Sequence, residues 1–189
     1  MNGTFVAVVG PSGSGKDSIL ECACAALITR DDIVFARRRI TRPASAGEDH
    51  SPVSEAEFGA AQSRGEFALT WRAHGLWYGL PSHLVDVVAS GGVVVANVSR
   101  GVLDRLPTLF TNVRVVRVTA SKEVRLARIL ARGREDAVAA AARVVRRDPA
   151  PEFAVDLEIV NDGTLDEASV AFAAFLGQVR DSVRTPDGR

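Results

Sequence analysis

Short apolar runs alternate along the chain with longer segments of mixed polarity. Residues 4–9 (TFVAVV), 33–40 (IVFARRRI), 93–98 (VVVANV), 113–118 (VRVVRV) and 155–160 (VDLEIV) predict strands. The run at 93–98 is continuous, as in strands buried on both faces. Between the runs, residues 18–28, 81–90, 121–132 and 137–147 have helical composition, with Gly91-Gly92 and Gly133 as stops. Ser54 with Glu57, and Thr164 with Glu167, form capping boxes that start helices reaching about residues 64 and 183. Residues 67–73 and 76–78 predict a hairpin turning at His74-Gly75. Residues 41–52 read as a polar loop. Strands alternating with helices imply an α/β fold around a mostly parallel sheet, with any ligand at the carboxyl ends of the strands. A length of 189 residues suits one domain with a small insertion or lid.

The first strand-to-helix turn carries the chemistry. Gly10-Pro11-Ser12-Gly13-Ser14-Gly15-Lys16-Asp17-Ser18 reads as a phosphate-binding loop, G-x-x-x-x-G-K. Its glycines let the backbone aim successive N–H groups at phosphate oxygens. The helix that follows adds its positive end, and Lys16 supplies a mobile cation for the β and γ phosphates. A glycine-rich turn with a chance lysine is the plain alternative; strand, loop and helix in this order weigh against it. After the lysine a Ser or Thr hydroxyl usually binds Mg²⁺. Here that residue is Asp17, with a hydroxyl one step later at Ser18. A carboxylate is a hard oxygen ligand suited to Mg²⁺, and it is also favoured at a helix start by the dipole. The two readings are compatible.

Composition sharpens this only in places. A hydrophobic content of 47% is enough for a full core. Basic and acidic residues balance at 23 each, and the basic ones gather near motif loops, so no nucleic-acid partner is expected. Lys16 and Lys122 are the only lysines; arginine supplies the rest. No 18-residue apolar run exists, so no membrane partner is expected. The N-terminus lacks a charged region before its first strand, so no signal peptide is expected. Cys22 and Cys24 point in different directions on a helix and read as small semi-buried residues, neither a metal pair nor a disulfide. A reducing cytoplasm is the expected compartment.

The loop at 10–18, Thr41-Arg42-Pro43 with Gly47-Glu48, the Val53-Ser54-x-x-Glu57-Phe58 helix start and the Gly75-x-x-Tyr78-Gly79 hairpin follow one another as in guanylate kinases. An arginine-rich segment at 132–147 and a late Val160-Asn161-Asp162 continue the order. Over nearly its whole length the chain resembles that family. The resemblance implies a nucleoside-monophosphate-kinase-like three-layer fold: a core of residues 1–36 and 82–183, an acceptor-binding insertion at about 37–81, a helical lid at about 132–147, and a tail at 184–189. The guanine-reading positions do not match. They fall on Leu69, Leu80 and Val98, none of which can hydrogen-bond a base. A second acceptor arginine falls near Ser45 and an acceptor tyrosine near His50. These departures, with GKDS, ITRPASAGE, SEAEF, WRAHGLWYG and NVSR, are similar to ribose 1,5-bisphosphate phosphokinases, guanylate-kinase relatives associated with bacterial phosphonate use.

The implied reaction transfers the γ-phosphoryl group of ATP, with Mg²⁺, to the 1-phosphate of a small-molecule substrate, ribose 1,5-bisphosphate. The acceptor is already an anion, so positioning and charge neutralisation suffice. Arg38 and Arg42 are expected to grip acceptor phosphates, with Arg38 facing away from Arg37 and Arg39 by alternation. Arg72 and Arg100 lie at neighbouring strand ends. Glu48 and Asn97 are placed to bond ribose hydroxyls, or Glu48 braces Arg42. His50 and Tyr78 complete the acceptor site, although Tyr78, like Trp71 and Trp77, also suits a core or pocket wall. The strand ending at Val98 carries no carboxylate for the metal, a charge that Asp17 can restore. The lid arginines Arg132, Arg134 and Arg143 are expected on the triphosphate, and Asn161 near the adenine, both by resemblance. Two other readings stay open: a guanylate or other nucleoside monophosphate kinase, and a non-catalytic kinase-like module that binds phosphorylated partners.

Overall fold

The five apolar runs supply the five strands of one parallel sheet. In the computed structural model, described over residues 3–43, 49–131 and 153–184, these are β1 (Thr4–Val9), β2 (Ile33–Phe35), β7 (Val93–Asn97), β8 (Val113–Thr119) and β9 (Leu157–Val160), in the order β2-β7-β1-β8-β9. Every pairing is parallel. The central strand β1 is buried along its whole length. Its alternating side chains therefore feed two cores.

Val6 and Val8 point to the face covered by α1 (Lys16–Ala26) and the C-terminal helix α5 (Leu165–Arg184), where they join Ile19, Ala23, Phe172 and Leu176. Phe5, Ala7 and Val9 point the other way. They pack with Leu84 and Val88 of α3 (His83–Ala89) and with Val102 and Leu106 of a 3-10 helix (Arg100–Thr108). Helix α4 (Lys122–Ala131) follows β8 in the chain.

A second, four-stranded sheet has the order β4-β3-β6-β5, built from β3 (Arg38–Ile40), β4 (His50–Pro52), β5 (Phe67–Ala73) and β6 (Leu76–Pro81). Helix α2 (Glu55–Ser63) lies between β4 and β5 in the chain. The β5–β6 hairpin turns at His74 and Gly75, both at positive φ (53° and 77°). Ile40, Leu69, Trp71, Tyr78 and Leu80 of this sheet share the core that holds Phe5 and Val94.

Both capping boxes form. The Ser54 hydroxyl accepts from the Glu57 N–H (3.2 Å), and the Glu57 carboxylate accepts from the Ser54 N–H (2.7 Å). Thr164 and Glu167 repeat this at 3.3 and 3.1 Å.

Some boundaries differ from the sequence reading. The strand expected at 33–40 breaks into β2 and β3, which belong to different sheets. Ala36 donates the last bond to Val95 (2.8 Å), and three successive arginines cannot continue inside a sheet covered on both faces. The polar loop 41–52 ends in β4. Pro81 closes β6 instead of opening α3. The segment 100–108, for which no element was expected, is the 3-10 helix; the Ser99 hydroxyl accepts from the Gly101 N–H (3.4 Å) at its start. The helix expected at 137–147 lies outside the described residues. Cys22 is half-buried, Cys24 is exposed, and both are free thiols. Among the described residues no helix is long and apolar enough to cross a membrane.

Candidate active site

The loop from Gly10 to Gly15 joins the carboxyl end of β1 to α1, at the end of the sheet where parallel folds hold ligands. Gly13 and Gly15 adopt φ of 82° and 91°, which a side chain would oppose. A Cβ on Gly13 would also stand 2.7 Å from the Arg125 carbonyl oxygen. Lys16 opens α1, and its Nζ donates back to the carbonyls of Gly10 (2.8 Å) and Pro11 (3.0 Å). The ammonium therefore lies over the loop it is expected to serve.

The loop is braced from outside its own sequence. Ser14 is fully buried, and its carbonyl accepts from Asn161 Nδ2 (2.9 Å) at the end of β9. Arg125 Nε donates to the Ser12 carbonyl (3.1 Å), and Arg128 Nη1 to the Asn161 carbonyl (3.0 Å). Burial, and then the nearby Arg100 guanidinium, push the Arg125 pKa down. Arg125 thus places a positive charge beside the loop, a field that favours an anion.

At the start of β3 in the second sheet, Arg38 is buried (6% exposed) while Arg37 pairs with Asp49 at the surface and Arg39 with Glu66. The alternation read from the sequence therefore holds. The Arg38 guanidinium lies 5.9 Å from the centre of the Tyr78 ring, and Tyr78 stacks on Trp71 at 5.3 Å. His50 pairs in register with Arg38 across β3 and β4; its Nε2 lies 3.3 Å from the Arg42 carbonyl. Arg72 lies against the Trp77 ring at the surface.

The loop and the second sheet meet at Asp17. Its Oδ1 accepts from Asn97 Nδ2 at 2.6 Å and pairs with Arg38 Nη2 at 3.5 Å. Lys16, Asp17, Arg38, Tyr78 and Asn97 are thus drawn together, from α1, β3, β6 and β7. Asn97 bonds a carboxylate of the protein, where the sequence suggested a ribose hydroxyl. Asn161, expected near the adenine, is 2% exposed and holds the loop from beneath. Leu69 and Leu80 face each other across β5 and β6 and, with Val98, are buried in one apolar core. Glu48, Arg132, Arg134 and Arg143 lie outside the described residues.

Sequence reasoning missed Arg125 and Arg128. The available signal was Arg125 sharing a helical stripe with Ile129, both of which are buried. A basic residue on an apolar stripe needs a polar partner, and the loop carbonyl provides it.

The donor set suits a Mg²⁺ ion held partly by substrate. Mg²⁺ takes one or two carboxylates and completes its shell with phosphate and water. Asp17 Oδ1 is the oxygen that meets Asn97 and Arg38, and the same carboxylate could supply Mg²⁺ with one ligand. No cluster of three or more His, Cys, Asp or Glu side chains able to enclose a metal occurs among those residues.

Among known proteins, the chain is 52% identical over 165 residues to ribose 1,5-bisphosphate phosphokinase PhnN of Pseudofrankia inefficax, covering 86% of this chain and 85% of that one. It is 44% identical over 179 residues to the protein of the same name from Brucella melitensis, covering 94% and 93%. The guanylate kinase of Anaplasma phagocytophilum has a similar structure, with a TM-score of 0.66 over 95% of this chain and 87% of that one, at 22% identity, a likeness of fold. No protein-family model matches the chain.

Proposed function

The chain belongs to the ribose 1,5-bisphosphate phosphokinase family, and from that premise we propose that it phosphorylates the 1-phosphate of ribose 1,5-bisphosphate with ATP, releasing 5-phosphoribosyl 1-diphosphate and ADP. An oxygen of the acceptor 1-phosphate forms the new bond to the γ phosphorus. The bond from that phosphorus to the β–γ bridging oxygen breaks, and the electron pair leaves with ADP. The attacking oxygen is already anionic, so no side chain need remove a proton.

The protein supplies position and positive charge. The loop Gly10–Gly15 holds the triphosphate, and Lys16 swings from the Gly10 and Pro11 carbonyls onto the β and γ phosphates. Arg38 and Arg42 grip the acceptor within the insertion at 37–81, with His50, Tyr78, Glu48 and Arg100 around it. Arg132, Arg134 and Arg143 of the lid cover the transferring group. Asp17 Oδ2 would hold Mg²⁺, which supplies neutralisation of phosphate charge when bound. The compartment is the cytoplasm, a reading supported by the free thiols of Cys22 and Cys24.

The observation that carries the acceptor assignment is the burial of Leu69, Leu80 and Val98 in an apolar core. A base-reading site needs polar partners there, whereas a bis-phosphorylated sugar needs cations. The test is ADP release with ribose 1,5-bisphosphate and with GMP, side by side. Turnover with the sugar and none with GMP is expected; preference for GMP overturns the assignment. Alanine at Arg132, Arg134 or Arg143 is expected to slow turnover up to about a thousandfold.

A further inference from the structure

Three elements of separate origin meet in one buried polar contact. Asp17 stands in the first turn of α1, Asn97 closes β7 of the central sheet, and Arg38 opens β3 of the second sheet. Asn97 and Arg38 are 8% and 6% exposed, and the Asp17 side chain is 19% exposed. An arginine this far from solvent requires a compensating anion. Asp17 supplies one through Oδ1, and the 2.6 Å bond from Asn97 fixes the orientation of that carboxylate. The Tyr78 ring bounds the guanidinium on another side. A serine or threonine hydroxyl in place of Asp17 would be shorter by one atom and uncharged. It could neither reach Arg38 in the same way nor offset its charge.

We propose that Asp17 is a positioning residue for the acceptor: through Oδ1, held by Asn97, it fixes the Arg38 guanidinium at the junction of the two substrates. The carboxylate after Lys16 then has two distinct oxygens with two duties. Oδ2 would serve the metal on the donor side, and Oδ1 aims an arginine at an acceptor phosphate. The inference rests on the reading above that Arg38 binds that phosphate.

The experiment measures steady-state kinetics for both substrates and the affinity of the enzyme for ADP with Mg²⁺ by calorimetry, in Asp17→Ser, Arg38→Lys, the double variant, and Asn97→Ala. The unaltered enzyme is assayed first, and its choice between ribose 1,5-bisphosphate and GMP judges the functional reading by itself. The variants are then assayed on whichever acceptor it uses. Asp17→Ser, which restores a hydroxyl, is expected to raise the acceptor KM about tenfold or more while ADP affinity changes far less. Arg38→Lys is expected to do the same, since lysine keeps the charge but loses the fork. The double variant should be little worse than either single one, because both remove one unit. Asn97→Ala, which leaves the ion pair but frees the carboxylate, should raise the same KM by a smaller factor. An unchanged acceptor KM in Asp17→Ser with weakened ADP and Mg²⁺ binding overturns the proposal. So does a double variant whose loss is the product of the two single losses. If Asp17→Ser does not fold, the acceptor KM of Arg38→Lys and Asn97→Ala decides: a rise in both supports the tie, and no rise in Asn97→Ala overturns it.

Discussion

Arg125 is almost closed off from water, yet its guanidinium touches a main-chain oxygen of the phosphate loop. It thereby holds Ser12 and adds charge beside Arg100. Replacing it with methionine keeps much of the volume and removes both contributions. The expected result is an affinity for ADP about tenfold weaker, read by calorimetry, with the fold intact by circular dichroism. Leu69 makes the opposite case. A glutamate there restores a carboxylate at the guanine-reading position, but at a site 2% exposed and opposite Leu80. An unpaired buried charge costs on the order of 3 kcal/mol or more. Leu69→Glu should therefore lower the denaturation midpoint sharply and yield no GMP phosphorylation. At this scale Lys16, Asp17 and Arg38 were legible, two from a loop motif and one from the period-two pattern of a strand. Arg125 and Arg128 were not. A basic residue on a helix is solvated by default, and the carbonyl that buries Arg125 lies 113 positions away in the chain.

Elements were legible wherever local chemistry alone defines them. The Ser54–Glu57 box needs only four residues, and its reciprocal bonds form as the spacing predicts. Ser54→Ala should cost about 1 kcal/mol in a urea melt, with the end of α2 fraying first. The hairpin of β5 and β6 is likewise written in its turn residues. The 3-10 helix over Arg100–Thr108 was not legible, because Gly101 and Pro107 erase the periodicity that would announce it. The division of residues 33–40 into β2 and β3 depends on which sheet each half meets. That is a tertiary choice that overrides a continuous strand-like sequence.

Across the whole molecule, Arg180 and Arg184 of α5 converge on Asp32, just before β2, at 2.6 and 2.9 Å. The Arg180 hydrogen bond is the main reason the Asp32 carboxyl is held below its usual range. A depressed folded pKa contributes stability above the unfolded value, about 3.9, and that contribution disappears as pH falls through the folded one. Asp32→Asn should therefore be less stable than the parent at pH 7. The gap should narrow below about pH 4, as guanidinium unfolding at several pH values would reveal. The parallel character of the sheet and the order of the site motifs were legible in the sequence at this scale, but the order of the strands was not. The sharing of one core by both sheets was not, since Leu69 and Phe5 meet only after folding. The grip of Asn161 on Ser14 joins positions 147 apart. During synthesis the ribosome makes the nucleotide loop almost at once, but its keystone follows only after roughly seven to thirty seconds at about 5–20 residues per second. A nascent chain should thus remain blind to nucleotide until β9 has emerged, and ligand cannot rescue its folding any earlier.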